Sequence, residues 1–299
     1  MAGGALALLV LTLILSHFRR EESAAEQRAL QARRVELIDR IRVNLVSAAE
    51  AEKSAVLAIT DEESRKFADQ ARALSATAEE GRRELAGMLE AQGSAREREL
   101  LQQFAAAFAD VQRIDADLLD LAIKNTNLKA YDLAYGPAAG ALREMTDALD
   151  RVVSTGPEAA RARVTPLALG AEVAALRLQT LLPPHIAEES DQRMNEMETA
   201  MARESDDVRG KLAALSAVPE IAGSQDLRAA AGAWARYGDL ETRILALSRE
   251  NTNVRSLTIS LNRKRTATVA AEEALAALRQ AVDEEPIAGV TYGQPAKPR

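Results

Sequence analysis

A pattern that recurs after 126 residues constrains the fold of this 299-residue chain more than any other feature. Asn125-Thr126-Asn127 returns as Asn251-Thr252-Asn253, and Glu62-Glu63-Ser64 returns as Glu188-Glu189-Ser190. The apolar residues keep the same offset: Phe108, Val111, Ile114, Leu118 and Leu121 correspond to Trp234, Tyr237, Leu240, Ile244 and Leu247. This repeat predicts two homologous modules, 19–154 and 158–284, followed by a polar tail, 285–299.

The composition of both modules favours helices over sheets. The chain is 47% hydrophobic but only 3% aromatic, and it is rich in Ala, Leu, Glu and Arg, which are strong helix formers. Apolar residues fall at alternating spacings of three and four, the pattern of helices that pack side by side. We therefore predict an all-α fold: two tandem up-down four-helix-bundle modules of long antiparallel helices, after an N-terminal membrane helix.

Capping residues and helix breakers predict where the helices begin and end. Thr60 with Glu63, and Ser94 with Glu97, have the spacing of a capping box. Pro183-Pro184 predicts a stop, with His185 exposed in the turn that follows, whereas Gly136-Pro137 predicts a kink within a continuing helix. The predicted helices are 20–59, 62–92, 94–124 and 126–154 in the first module, and 158–182, 187–217, 225–250 and 252–284 in the second.

Charge and composition exclude several classes of function. A net charge of −7 argues against a nucleic-acid partner, which would require a basic surface. The absence of cysteine rules out disulfides, thiolate catalysis and Cys-based metal sites, and two histidines are too few for a His-rich metal site. Because no nucleophile–base pair or phosphate-binding loop is apparent either, we predict a protein that is not an enzyme and that has no cofactor.

The N-terminus predicts a membrane anchor at residues 1–18. Its first sixteen residues carry no charge, and His17-Phe18-Arg19-Arg20 follows as an aromatic and basic stop. A cleaved signal peptide is the alternative, but no basic residues precede the apolar stretch and no small-x-small cleavage site follows it. The arginines after the segment would, by the positive-inside rule, hold that side of the membrane in the cytoplasm.

The junction between the third and fourth predicted helices carries a resemblance to a known family. An apolar helix that leads into the first helix, the acidic Thr60-Asp61-Glu62-Glu63 turn, and the segments 121–130 and 135–138 resemble the four-helix-bundle ligand-sensing domain of bacterial methyl-accepting chemotaxis receptors. The tandem arrangement is similar to the helical bimodular variants of these sensors. The resemblance implies a single-pass protein of the bacterial inner membrane whose bulk is periplasmic, opposite to the orientation that the charges favour. Family members continue into a second membrane helix, a HAMP linker and a cytoplasmic signalling hairpin, which this sequence lacks.

The same resemblance places a binding surface near one end of the bundle. Implied partners are a small organic solute or a periplasmic binding protein, together with a homodimer or a heteromer with a signalling receptor. The candidate ligand-binding residues are the polar residues of this end and their repeat counterparts: Glu52, Lys53, Asn125, Thr126, Lys129, Asn251, Thr252 and Arg255. The alternative for both Asn-Thr-Asn motifs is simple helix capping, which by itself accounts for about 1 kcal/mol.

Glu52 is the least expected of these candidates. It lies on an apolar helix face with Ile41, Leu45, Ala48 and Ala55, where its repeat counterpart is Leu178. Because an unpaired buried carboxylate is costly, Glu52 must be partnered by a basic group or a polar ligand, or else turn to a solvated edge.

Two functions remain open at this point. The first is a membrane-anchored sensory protein of the chemoreceptor type that acts through a partner in signal transduction or chemotaxis. The second is a structural or partner-binding helical-bundle protein of the cell envelope that has no small-molecule ligand.

Overall fold

A computed structural model describes the backbone of residues 2–286 and the side chains of residues 24–286. The predicted anchor at 1–18 and residues 287–299 of the predicted tail therefore lie outside the described side chains. Among the described residues, no helix combines the length and the apolar character that crossing a membrane requires.

The fold is all-α, as predicted, and the described residues form no strand. Two π-helical segments, which we call π1 and π2, interrupt the α-helices. The elements are α1 (Ala2–Leu57), α2 (Asp61–Gln92), α3 (Ala95–Ala122), α4 (Thr126–Leu133), π1 (Ala134–Ala138), α5 (Ala139–Thr155), α6 (Glu158–Ala187), α7 (Asp191–Ser216), α8 (Gln225–Glu250), α9 (Thr252–Ile259), π2 (Ser260–Lys264) and α10 (Arg265–Glu284).

Side-chain caps form at both predicted positions, and the one at Ser94 is a complete capping box. The Glu63 amide donates to Thr60 Oγ1 at 3.2 Å and the Thr60 hydroxyl lies 3.2 Å from Glu63 Oε2. The Ser94 amide donates to Glu97 Oε2 at 2.7 Å, and the Glu97 amide donates to Ser94 Oγ at 3.2 Å. These bonds satisfy free amides in the first turns of α2 and α3.

The predicted stop at Pro183-Pro184 is wrong. Helix α6 continues through both prolines to Ala187, and the break comes at Ser190, whose side chain accepts a hydrogen bond from the Arg193 amide to begin α7. The prediction that His185 is exposed in a turn is also wrong, because its side chain is fully buried within α6. Two adjacent prolines near the end of a helix forfeit few intrahelical bonds, so packing of the last turn outweighs them.

The chain divides into two compact units that do not follow the predicted modules 19–154 and 158–284. Unit 1 comprises Met1–Ala55, Arg65–Asp117 and Ser260–Arg299, and unit 2 comprises Val56–Ser64 and Leu118–Ile259. The apolar core of unit 1 is built by α1, α2, α3 and α10. The core of unit 2 is built by α4 to α8.

This division means that the two repeats exchange their last helices. The last helix of the second repeat, which continues from π2 into α10, contributes Ala271, Leu275 and Leu278 to the core of unit 1. The last helix of the first repeat, from α4 through α5, contributes to the core of unit 2. Each unit is therefore completed by a helix from the other repeat.

Left-handed backbone at two asparagines marks where these last helices begin. Asn125 has φ 51° and Asn251 has φ 52°, the only non-glycine residues with positive φ among those described. Asn125 separates α3 from α4, and Asn251 separates α8 from α9. Asparagine tolerates this conformation better than other residues with a Cβ because its short polar side chain can hydrogen-bond locally.

The π-helical segments occupy equivalent positions in the two repeats. The bounds of π1, at 134 and 138, recur after 126 residues as the bounds of π2, at 260 and 264. Pro137, within π1, cannot donate a backbone hydrogen bond, and the chain stays helical through it as predicted. Since π2 contains neither proline nor glycine, the π geometry follows from the packing that both repeats share.

Two substitutions of Asn125 separate the contribution of its left-handed backbone to stability from the contribution of its side-chain hydrogen bonds. Asn125→Gly should lower the free energy of unfolding by about 1–3 kcal/mol, since it removes buried hydrogen bonds, and Asn125→Ala should lower it by about a further 1 kcal/mol because alanine resists positive φ. Urea titration followed by circular dichroism measures both. Equal losses in the two variants would mean that the left-handed conformation is not required.

Candidate functional site

The eight predicted site residues are divided between the two compact units. Glu52 and Lys53 belong to unit 1, whereas the other six belong to unit 2. Of those six, Asn125, Thr126, Asn251 and Thr252 are brought together and buried. They therefore do not form the exposed binding surface that the sequence predicts.

The two Asn-Thr-Asn motifs bind each other through a reciprocal set of hydrogen bonds. The Thr126 amide donates to the Thr252 hydroxyl oxygen at 3.1 Å, and the Thr252 amide donates to the Thr126 hydroxyl oxygen at 3.1 Å. Asn127 and Asn253 exchange amide-to-side-chain bonds in the same way, each at 3.1 Å. The motifs thus satisfy each other, and the side chain of Asn125 makes no helix-capping bond.

The asparagine side chains also bind the first turn of α2 and the loop that precedes α7. Asn125 Nδ2 donates to Asp61 Oδ1 at 3.2 Å and to Ser64 Oγ at 2.9 Å. In the second repeat, Asn251 Nδ2 donates to the Glu188 carbonyl at 2.7 Å. With their donors engaged within the protein, these residues act as a structural junction and leave no free group for a solute.

The three charged candidates differ in their surroundings. Lys129 is half-buried and forms an ion pair with Asp61 at 2.9 Å. Arg255 and Lys53 are exposed, and neither has an ion pair within the described part of the chain. No group of three metal-ligating side chains is found among the described residues.

His185 lies in a buried polar network of unit 2. Its Nδ1 is 2.8 Å from the Ser248 hydroxyl and its Nε2 is 2.9 Å from Glu198 Oε1, to which Arg249 Nε also donates at 2.7 Å. Burial lowers the pKa of His185. Because both Ser248 and His185 are inaccessible to solvent, the network stabilises the contact between α6, α7 and α8 and presents no nucleophile to a substrate.

Glu52 is the centre of a buried charged cluster in unit 1. Its side chain has no exposed surface, so the solvated edge that the sequence leaves open is excluded. The cluster also contains Asp115 from α3 and Ser260 and Lys264 from π2, all of them buried. Lys264 forms an ion pair with Asp115 and acts on Glu52 only through its nearby charge.

Three carboxylate oxygens of this cluster have no hydrogen-bond partner. Neither oxygen of Glu52 has a well-formed hydrogen bond, and Asp115 Oδ1 has none either. Burial raises the pKa of Glu52; the nearby Ser260 hydroxyl and Lys264 oppose that rise, while Asp115 adds to it. Burial likewise raises the pKa of Asp115 against the effect of Lys264. The cluster therefore combines one ion pair, Lys264 with Asp115, with a second carboxyl group whose pKa burial raises.

The equivalent positions of unit 2 are largely apolar. Glu52, Ser260 and Lys264 correspond after 126 residues to Leu178, Ala134 and Ala138, and only Asp115 keeps an acidic counterpart, Glu241. Burial raises the pKa of Glu241 to about 7. The repeated fold therefore does not require the charged side chains around π2. Residues that break a local rule of stability without serving the fold are expected at functional sites.

A surface groove of about 900 Å³ runs beside π2 in unit 1. The volume is within the range of small-molecule sites. It combines apolar side chains with cationic ones, and its lining residues are Asp110, Arg113, Ile114, Leu261, Asn262, Arg263, Arg265, Thr266, Ala267, Val269 and Ala270.

Two arginines give the groove unsatisfied positive charge. Arg113 is paired with Asp110 at 2.7 Å, but Arg263 and Arg265 are exposed and make no ion pair within the described residues. Leu261 and Val269 lie beside them and are exposed as well. This arrangement suits an organic anion with an apolar portion, because guanidinium groups bind carboxylate, sulfonate or phosphate oxygens in a bidentate manner.

The sequence does not predict this groove, because nothing in the local sequence separates Arg263 and Arg265 from ordinary surface arginines. Only a comparison of the two repeats points to these two arginines. Arg263 falls at the position of Pro137, and Arg265 at the position of Ala139, so both charges are gains of the second repeat. No protein-family model matches this sequence, and a comparison with curated proteins finds no significant match.

We expect replacement of Glu52 to stabilise the protein at high pH. Because the pKa of Glu52 is raised on folding, the native state binds more protons than the unfolded state just above pH 4.5, and stability is lost as the pH rises. Glu52→Gln should therefore raise the free energy of unfolding at pH 8 by about 1–3 kcal/mol, with a smaller gain at pH 5.

Urea titrations at both pH values measure this effect. Glu50→Gln is the matched control, since Glu50 lies on the same helix but is exposed, and it should change stability little at either pH. A gain in stability that is the same at both pH values, or larger at pH 5 than at pH 8, would contradict the raised pKa of Glu52.

Proposed function

We propose that this chain is a membrane-anchored sensory protein of the chemoreceptor type, whose unit 1 binds a small organic anion in the groove beside π2. The observation that carries the proposal is the pair of exposed arginines without ion pairs, Arg263 and Arg265, next to apolar side chains in a groove of about 900 Å³. In a chain of net charge −7, such a local excess of positive charge attracts anions specifically to this place.

The position of the groove supports a sensory role. Arg113 and Ile114 line it from α3, while Leu261 and Arg263 line it from π2. An anion that binds arginines of both elements favours one spacing of α3 and π2 over another, and a ligand can drive a signal only through such a difference in contacts. π-helical turns are frequent at functional sites and give a helix an alternative register.

The buried cluster lies on the same two elements. Asp115 follows Ile114 on α3, and Lys264 follows Arg263 in π2, so their ion pair joins the two walls of the groove. A displacement of π2 that changes this pair also changes the environment of Glu52 on α1. Because α1 continues from the predicted anchor, a signal on α1 would travel toward the membrane, where a partner receptor receives it.

Membrane attachment through residues 1–18, the tandem modular arrangement and the periplasmic location are parts of the same proposal. Their support is the apolar N-terminal segment and the resemblance of the junction sequence to chemoreceptor sensing domains. A structural or partner-binding envelope protein without a ligand is the alternative, and the ligand experiment separates the two.

A thermal-shift screen tests the ligand. Small carboxylates, sulfonates and phosphate esters are compared with amines of similar size, and we expect at least one anion to raise the melting temperature because it binds only the folded protein. The Arg263→Gln, Arg265→Gln double variant should lose this shift. Arg255→Gln, which removes an exposed arginine of unit 2, is the matched control and should retain it.

The screen has two outcomes that contradict the proposal. One is the absence of a shift with every anion, which leaves the structural alternative. The other is a shift of equal size in the double variant, which would place the anion elsewhere.

Protease accessibility tests the location. Protease added to spheroplasts that express the full chain should digest residues 24–286, because the proposal places them outside the inner membrane. A cytoplasmic protein serves as the control for lysis. Protection of the chain in intact spheroplasts would reverse the proposed orientation and agree with the positive-inside rule.

A further inference from the structure

The buried cluster around Glu52 and the groove beside π2 share two elements, α3 and π2. Each cluster residue on these elements is adjacent in the chain to a residue that lines the groove. The adjacent pairs are Asp115 with Ile114, Ser260 with Leu261, and Lys264 with Arg263. A charge in the cluster therefore acts on an ion in the groove at short range, and buried charges of this kind are screened less than charges in water.

The cluster has one negative charge in excess when both of its carboxyl groups are ionised. Glu52 and Asp115 then contribute two negative charges, and Lys264, which pairs with Asp115, contributes one positive charge. The side chain of Glu52 has no exposed surface, and neither of its oxygens has a hydrogen-bond partner among the described residues. An unpaired carboxylate in this setting is costly, and a single proton removes that cost.

The surroundings of Glu52 favour uptake of this proton. Burial is the largest influence and raises the pKa of Glu52. Of the charged groups that act on it, Lys264 of π2 and Lys53 of α1 oppose the rise, while Asp115 of α3 adds to it. None of these three groups lies on α2 or α10, the other helices of the unit 1 core. Glu52 therefore takes up a proton at a higher pH than an ordinary glutamate does.

The buried acid and the arginines of the groove occur together in one unit, and the equivalent positions of the other unit have neither. Glu52, Arg263 and Arg265 correspond after 126 residues to Leu178, Pro137 and Ala139. The helical framework that the repeats share requires neither feature. Their occurrence in the same unit indicates that the acid and the arginines serve one purpose.

We propose that the groove binds its anion together with one proton, which Glu52 takes up from the solvent. This inference rests on the proposed anion site and adds the condition under which that site is filled. While Glu52 is ionised, the excess negative charge of the cluster repels an anion in the groove and offsets the attraction of Arg263 and Arg265. Once Glu52 is protonated, the cluster is neutral and the two arginines act on the anion unopposed.

The same coupling operates in the opposite direction. A bound anion places a negative charge beside the cluster and makes the ionised form of Glu52 still less favourable. Anion binding must therefore raise the proton affinity of Glu52 by the same factor by which protonation raises the affinity for the anion. The protein responds to an organic anion more strongly as the pH falls, even where the charge of the anion itself does not change.

Calorimetric titration of the full chain with benzenesulfonate tests the proposal, because this aryl anion keeps its charge between pH 5 and pH 8. We expect the Kd to rise at least about fivefold from pH 5 to pH 8, which is the lower end of typical coupling between two sites. Titrations in buffers of different ionisation enthalpy should show that binding takes up a fraction of one proton.

Two variants assign this proton. Glu52→Gln should bind benzenesulfonate at both pH values with the affinity that the unaltered protein has at pH 5, and binding should take up no proton. Glu50→Gln removes an exposed carboxylate from the same helix. It is the matched control and should keep the pH dependence of the unaltered protein.

Three results would overturn the inference. The first is an equal Kd at both pH values, which leaves the proposed anion site intact. The second is a pH dependence that persists in Glu52→Gln, because another group would then take up the proton. The third is the absence of benzenesulfonate binding at both pH values, whereas the proposed anion site itself stands or falls by the thermal-shift screen.

Carbon-13 NMR of the side-chain carboxyl groups measures the proton directly and does not depend on the affinity of a variant. The resonance of Glu52 is the one that Glu52→Gln removes. Saturation with benzenesulfonate should move its titration midpoint to higher pH by about 0.7 unit or more, the logarithm of a fivefold coupling. A midpoint that stays in place or moves to lower pH would overturn the coupling.

Discussion

The reciprocal hydrogen bonding of the two Asn-Thr-Asn motifs is the constraint on which the remaining structure depends. Asn125 and Asn251 adopt left-handed backbone, and Thr126 and Thr252 satisfy each other's amides at 3.1 Å in a buried setting. Buried backbone donors must be paired, so neither motif can be changed without leaving a partner unsatisfied. The last helices of the two repeats begin here, and each then completes the core of the other repeat's unit.

The two units keep the same π-helical turn but surround it differently. In unit 2, Gln179 donates to the Ala134 carbonyl at 3.0 Å and accepts a bond from the Tyr237 hydroxyl at 2.9 Å, so these two side chains beside π1 are neutral and paired, and Glu241 is the one acidic counterpart. In unit 1, Glu52, Asp115 and Lys264 place three ionisable groups beside π2. A neutral, paired environment stabilises a helix contact, whereas unsatisfied buried charge costs stability that a sensory role would explain.

The sequence alone predicted some residues of the charged cluster around Glu52 but not the others. Glu52 was identifiable because an acidic residue interrupts an apolar helix face. The basic group near it, Lys264, is paired with Asp115 and not with Glu52. The sequence could not place Lys264 near Glu52, because the two residues are 212 positions apart in the chain. The exchange of last helices decides which residues face Glu52. His185 was misplaced for a similar reason, since the partners that bury it, Glu198 and Ser248, come from two other helices.

The sequence by itself determined the all-α class, the side-chain caps of α2 and α3 and the repeat, since these depend on local propensity, on side chains three residues apart and on periodicity. Tertiary structure alone decided that the compact units differ from the sequential repeats. A repeat specifies which helices are equivalent, but a helix can bury the same apolar face against its own repeat or against the other one. The mutual satisfaction of Asn125, Thr126, Asn251 and Thr252 favours the second arrangement, and no local pattern in the chain records that contact.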